Sequence, residues 1–291
     1  MSRLERAESR TAQYVAFYRA LETTERARSP LFKDPYATSF LDRGLRLAVW
    51  ASRLAPLRKA LVTYADRRAP GARTSAIGRT KFIDDIVRAE IRAGVGQLVL
   101  LGAGYDARPY RIAELAQARV FEVDQPNMIE MRASHFPRSS RVRRVAIDFV
   151  RDDLAATLRQ AGFESEKRTI FIWEGVTNYL TEQAVGSVLS FIGGCAPGTT
   201  IIFTYIHRGV LDGTERFEGA DKLMENVRRL GEPWRFGIHP DELRGLLSGF
   251  GIELLEDFGA DEYRSRYLGT EPSDLRGYRF YRIAVGKVAP R

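Results

Sequence analysis

Apolar positions follow two patterns along the chain, and the change comes near residue 95. From Gln97 onward, short β-branched runs (QLVLL, RVFEV, RVAID, TIFIW and TIIFTYI) are separated by stretches long enough for a helix. Strand–helix alternation of this kind predicts an α/β fold built on a doubly wound, mostly parallel sheet. Two later runs, GIELLED and YRFYRIAVGKV, stand closer together with no clear helix between them. An antiparallel hairpin is therefore expected at one edge of a seven-stranded sheet. Upstream the spacing is helical: TAQYVAFYRALETTERA, the region from Leu41 to Thr63, and TKFIDDIVRAEIRAG. The last carries Phe82, Ile83, Ile86, Val87 and Ile91 at helical spacing, with Gly94 as its stop. A helical N-terminal cover over residues 1–95 follows.

Composition narrows the setting. With 291 residues, 44% hydrophobic and 11% aromatic, the chain can bury a large core. No repeat or Gly/Ser linker divides it, so one domain is expected. The lone cysteine, Cys195, excludes an internal disulfide and a cysteine-based metal site, and no metal is expected. The start, MSRLERAESRTAQY, is charged and lacks a secretion-type apolar core, which predicts a cytoplasmic protein. LRLAVWASRLAPLRKALV is broken by Arg53, Pro56, Arg58 and Lys59, too short and too charged to span a bilayer. It reads as an amphipathic helix bent or stopped near Pro56, and no membrane partner is expected.

A formal charge of +8 invites nucleic acid or another anion. Most arginines alternate with acids, as in LERAESR and ETTERAR; only RSSRVRR, Arg138 to Arg144, forms a local cluster. Nucleic acid is therefore disfavoured as a partner, and a monomer is favoured.

The candidate chemistry starts at LVLLGAGYDARPYRI, which fits G-x-G-x-x-A with Gly102, Gly104 and Ala107 after a strand. This is the Rossmann-like turn that lets a nucleotide approach the backbone. Asp106 sits where such a turn would meet a pyrophosphate, and its charge, offset in part by Arg108, favours a cationic ligand over a diphosphate. S-adenosylmethionine, with a sulfonium and an ammonium and no phosphate, suits that loop. Further along, FEVDQP places Glu122 and Asp124 at the end of the second strand, where an acid can accept ribose hydroxyls from either NAD or adenosylmethionine. AIDF offers Asp148 to an adenine amino group and Phe149 to its ring; Asp124 and Asp148 also read as helix N-caps. FIWEGVTNYL puts Glu174 at the tip of the fourth strand, where a buried carboxylate requires a cationic partner. Tyr179 follows in the same loop, and TYIHRG adds Tyr205, His207 and Arg208; these four are the acceptor-side candidates, Tyr179, Tyr205 and His207 as catalytic residues.

Taken in order, AFYRALETTERARSPLFKDPYA, GRTKFIDD, LGAGYDARPYRI, FEVDQP, AIDF, WEGVTNYL and WRFGIHPDEL resemble the leucine carboxyl methyltransferase family over nearly the whole chain. That family includes protein phosphatase methyltransferases and bacterial polyketide O-methyltransferases, all class I adenosylmethionine-dependent enzymes. The resemblance implies that Arg79 grips the methionine carboxylate and that Gly102 lies against the methionine moiety. It also implies that Asp124, with Gln125, holds the ribose and that Asp148 and Phe149 hold the adenine. Glu174 would stand near the methionine ammonium, and Arg19 would replace a lysine as a second carboxylate partner. A surface ion pair of Arg79 with Asp84 or Asp85 is the alternative. The implied layout is a cofactor-binding half over 96–206, a cap insert over 207–238, and the last helix with the edge strands over 239–291.

Three functions follow as expectations. The first is an S-adenosylmethionine-dependent O-methyltransferase acting on a small-molecule carboxylate or hydroxyl, such as a polyketide-like metabolite. A carboxylate acceptor needs no general base, whereas a phenol with a pKa near 10 does. The others are an NAD(P)-dependent oxidoreductase and a methyltransferase acting on tRNA or a protein C-terminus.

Overall fold

A computed structural model of the chain describes residues 3–149, 151–229, 233–269 and 279–290. Four helices come first: α1 (Arg3–Thr23), α2 (Arg43–Ala51), α3 (Ala55–Arg68) and α4 (Ala72–Arg92). The sheet then begins with β1 (Gln97–Leu101), α5 (Arg108–Arg111), β2 (Arg119–Asp124), α6 (Pro126–His135) and β3 (Val142–Ala146). It continues through α7 (Leu154–Gln160), β4 (Thr169–Trp173), α8 (Glu182–Gly193) and β5 (Thr200–Ile206). The final part holds α9 (Gly209–Asp212), α10 (Ala220–Arg229), α11 (Leu243–Ser248), β6 (Ile252–Phe258), α12 (Ala260–Leu268) and β7 (Tyr281–Val288).

The seven strands lie in the order β3-β2-β1-β4-β5-β7-β6. Pairing is parallel from β3 to β5, and β7 runs antiparallel to both β5 and β6. The doubly wound, mostly parallel sheet of the sequence reading is present, and its period-2 alternation divides two cores. On one face Val99, Leu101, Phe121, Phe171 and Phe203 pack among the residues of α7, α8 and α11. On the other, Leu98, Leu100, Ile170 and Ile172 meet Phe82, Ile83 and Val87 of α4. A third cluster, with Phe17, Leu21, Phe40 and Phe136, seats the N-terminal cover.

Three expectations change in detail. The last two strands are antiparallel neighbours but not a hairpin, because α12 lies between them in sequence and β7 inserts inside β6. Ile283 and Val285 pack into one core and Ala284 and Val288 into the other, so β7 needs an inner position. The segment around Pro56 is two helices, and the break precedes the proline, which sits in the first turn of α3, where its missing N–H costs nothing. Finally, β3 ends at Ala146, so Asp148 and Phe149 lie in the loop beyond it.

Candidate functional site

Sequence fixes the loop after β1 through two glycines with left-handed backbone, Gly102 at φ +72° and Gly104 at φ +43°. A Cβ at position 102 would stand 2.3 Å from Val176 Cγ2, so the β4 loop lies directly on this turn. The Gly102 and Ala103 amides donate to the Val123 carbonyl at 2.8 and 3.0 Å, tying the loop to the tip of β2. The Asp124 carboxylate accepts from the Gly104 amide and from the Gln125 amide, each at 2.7 Å. Burial pushes the Asp124 carboxyl up, and those two N–H donors only partly oppose it.

Asp106 is turned away from the role its sequence position suggests. One of its oxygens accepts from the Arg108 amide at 2.8 Å and the other from the Arg108 guanidinium. Its charge is thus neutralised locally, which weakens the argument that this carboxylate selects the ligand. Arg132, a residue the sequence reading missed, lies wholly buried beneath the loop. It donates to the carbonyls of Ala103 (3.0 Å), Gly104 (2.7 Å) and Asp106 (2.9 Å) and to Glu122. The only signal for it was the buried acid of FEVDQP, which needed a cation from somewhere.

Beside the loop runs a chain of alternating charges. Arg79 of α4 donates to Glu174 Oε1 at 2.6 Å, and Arg108 reaches Glu174 Oε2 at 3.0 Å. Arg108 Nε also donates to Asp84 at 2.9 Å, which Arg111 grips with both terminal nitrogens. Arg19 closes the chain, 3.2 Å from Asp34 and donating to the Tyr105 carbonyl of the loop at 2.7 Å. Burial would by itself raise the Glu174 carboxyl, but Arg79 and Arg108 outweigh it and bring the group down to about 2. Arg79 therefore pairs with Glu174 rather than with Asp84 or Asp85.

Tyr281 is a second residue the sequence reading missed. It opens β7, and an antiparallel strand begins where its parallel neighbours end, so Tyr281 stands at the ligand edge opposite Ile206. The Arg79 guanidinium lies 4.8 Å from its ring centroid, and its hydroxyl is 3.2 Å from Thr204 Oγ1.

Around the acceptor-side candidates, the chain leaves the sheet at His207 and returns at Ile238 through a short parallel backbone pairing. Tyr179 packs against a cluster that includes Trp234, Phe280 and Ile206. Tyr205 is committed elsewhere: its hydroxyl donates to Asp257 at 2.9 Å and accepts from Arg282 Nε at 3.0 Å. Burial, then Asp257, pushes its pKa up, which unsuits it as a base. Arg208 donates to the Gly237 carbonyl at 2.9 Å.

His207 Nδ1 accepts the Gly209 amide at 3.1 Å, and Nε2 lies 3.4 Å from Glu215. Burial lowers its pKa, so the ring is neutral at pH 7 with its proton on Nε2 facing Glu215. A base that already carries its proton on the open nitrogen is poorly set to take another. His207, Glu215 and His239 bring ligand atoms within 4.8 Å of one another. A metal at His207 Nε2 would require the opposite tautomer, with Nδ1 donating rather than accepting, so this set does not fit a resident ion.

Asp148 and Phe149 sit at the loop beyond β3, Asp148 3.6 Å from Arg151 and Phe149 against the core. The structure thus brings Arg19, Arg79, Gly102, Gly104, Asp124 and Glu174 around one set of strand tips. The buried polar atoms there without a hydrogen-bond partner among the described residues include Arg108 Nη2, Arg132 Nε and Asn178 Oδ1.

Comparison with known proteins gives the same direction. The profile of the leucine carboxyl methyltransferase family matches residues 12–193. A Streptomyces coelicolor protein named "putative S-adenosyl-L-methionine-dependent methyltransferase" is 38% identical over 84% of this chain and 82% of its own. A Frankia alni protein with the same description is 37% identical over 72% of this chain and 71% of its own. Among solved structures, a DUF574 family protein from Streptomyces avermitilis shares the fold with a TM-score of 0.59 at 14% identity, covering 94% of this chain and 97% of that one. A Thermobifida fusca protein described as a "putative methyltransferase" does so with a TM-score of 0.57 at 18% identity, covering 95% and 94%.

Proposed function

The chain belongs to the leucine carboxyl methyltransferase family and is an S-adenosyl-L-methionine-dependent methyltransferase, and from that premise we propose that it methylates an oxygen, carboxylate or hydroxyl, of a small molecule. The observation that carries the placement of the cofactor is the Arg79–Glu174 pair beside the glycine loop. An adjacent cation and anion at one strand tip match the carboxylate and ammonium of an amino-acid zwitterion. The buried Arg108 Nη2 supplies a spare donor in the same cluster.

When bound, the cofactor supplies an electrophilic methyl group on a cationic sulfur and departs as S-adenosyl-L-homocysteine. Arg79 receives the methionine carboxylate, with Arg19 as a second partner reached through the loop, and Glu174 receives the ammonium. Gly102 and Gly104 let the backbone approach the ligand without a Cβ in the way. Asp124, with Gln125, holds the ribose hydroxyls, and Asp148 and Phe149 take the adenine. Tyr179 lines the acceptor side, where the cap excludes water and aligns the acceptor oxygen with the methyl group.

The commitments of Tyr205 and His207 favour a carboxylate among the oxygen acceptors, because such an acceptor is ionised at neutral pH and needs no base. Calorimetry with S-adenosyl-L-homocysteine and with NAD(H) tests the cofactor reading: the first is expected to bind and the second not. Incubation with labelled cofactor and a panel of carboxylic acids and phenols tests the acceptor. Label on nitrogen acceptors alone, or on tRNA alone, would overturn it.

A further inference from the structure

The outward face of α2 and α3 has no part in the site described above. α2 buries only Val49 and α3 only Ala65. Leu45 and Leu61 are half-buried against the N-terminal cluster, whereas five large apolar side chains of this segment point outward: Leu47, Trp50, Leu54, Leu57 and Tyr64, of which Leu57, at 48%, is the least exposed. They are five of the seven exposed large hydrophobic side chains among the described residues. A concentration of exposed apolar side chains of this kind marks a contact surface.

The charge around the patch is one-sided. Residues 43–68 hold seven arginines and lysines and one carboxylate, Asp66. Asp66 is paired with Arg73, and Arg58 with Glu25. Arg43, Arg53, Lys59, Arg67 and Arg68 are left without a carboxylate partner among the described residues. Arg108, Arg111 and Arg132, by contrast, are paired with carboxylates in buried clusters.

We propose that this face docks the protein peripherally on an anionic lipid bilayer. Leucines and a tryptophan entering the headgroup boundary, rimmed by unpaired cations, are the two signals that together hold an amphipathic helix at such a surface. The charge argues against a second copy of the chain, because a two-fold contact would press two cationic patches together. The leucines argue against nucleic acid, to which they offer neither a phosphate contact nor a stacking plane. No helix among the described residues is long and apolar enough to cross a membrane, and a surface mode requires none.

The test uses the full chain with vesicles of phosphatidylcholine, with and without phosphatidylglycerol. Trp173 and Trp234 are buried, so a change of tryptophan emission on adding vesicles reports Trp50. Emission is expected to shift to shorter wavelength, and the protein to sediment, only with the phosphatidylglycerol vesicles, and salt is expected to reverse both. Arg53→Glu with Lys59→Glu should lower the bound fraction roughly tenfold or more. Leu54→Ser with Leu57→Ser should lower it several-fold, with the thermal midpoint unchanged in both variants. Failure of the unaltered protein to sediment at low salt would overturn the proposal. So would equal binding to both vesicle types, or a lipid-free dimer that the same substitutions dissolve. Because the wild-type comparison between vesicle types stands alone, a variant that fails to fold does not block the decision.

Discussion

Beneath the glycine loop, Arg132 reaches three loop carbonyls and Glu122 from a wholly buried position, and neighbouring guanidiniums hold Asp84 and Glu174. On the far side of the same strand tips, the cap is held by Phe217, Trp234 and Phe280 and by the short His207–Ile238 pairing. The first region is fastened by directional bonds between ionised groups. The second relies mainly on apolar packing, which is non-directional and tolerates exchange of residues at constant volume. In the function proposed above, the former suits a cofactor that stays the same and the latter an acceptor pocket whose shape varies.

The sharpest way to break this contrast is Arg132→Leu. It leaves the Glu122 carboxylate buried with Arg144, at 3.3 Å, as its remaining cation, and frees three loop carbonyls. We expect a loss of about 3–5 kcal/mol in urea unfolding, the range for breaking a buried pair. A loss below about 1 kcal/mol would show that the loop does not depend on it.

Arg79→Ala should come next, weakening S-adenosyl-L-homocysteine binding by roughly 10- to 100-fold in calorimetry, as expected for a lost charge-assisted bond. Glu174 gives a pH signature. Its folded pKa is depressed from 4.5 to about 2, so its contribution to stability is complete above the ordinary value and is lost as pH falls from there through about 2. The stability difference between the unaltered protein and Glu174→Gln should therefore be constant above about pH 5 and shrink by up to about 3 kcal/mol on acidification. Denaturant midpoints at a series of pH values measure it, and a difference that does not change with acidity would contradict the pairing. The cap side should give the smallest effects: Tyr179→Phe should lower turnover a few-fold while leaving S-adenosyl-L-homocysteine affinity within about twofold.

The difference between the two regions also decides what could be read from the sequence. Strands β1, β2, β4 and β5 announce themselves because strands buried on both faces are continuous apolar runs. Glu174 was legible for the same reason, being the first ionisable residue after such a run, and Asp124 stands with Glu122 at the end of another. Arg132 was not, because in NMIEMRASH it looks like any arginine on a surface helix, and only the fold lays α6 under the loop. Asp106 was placed correctly in the loop and Arg108 was read as a partial offset to it; that Arg108 engages both of its oxygens is a matter of side-chain direction that spacing does not carry. Tyr281 was hidden by strand direction: the expected hairpin put the end of the chain at the rim, whereas the observed order carries it to the site.

That order bears on how the protein is made. β5 leaves the ribosome with β4 as its one partner, and its other edge stays bare until β7, the last strand, arrives. β6, made in between, has no neighbour to pair with except β7. From the end of β5 at Ile206 to the start of β7 at Tyr281, about a quarter of the chain, the unfinished protein therefore carries an open sheet edge of the kind that recruits other chains. Because Tyr281 supports the guanidinium of Arg79, residues separated by about two thirds of the chain must meet before the site is complete. Contacts so distant in sequence are slow to form, and until they do the edge of β5 that β7 covers stays open to other chains.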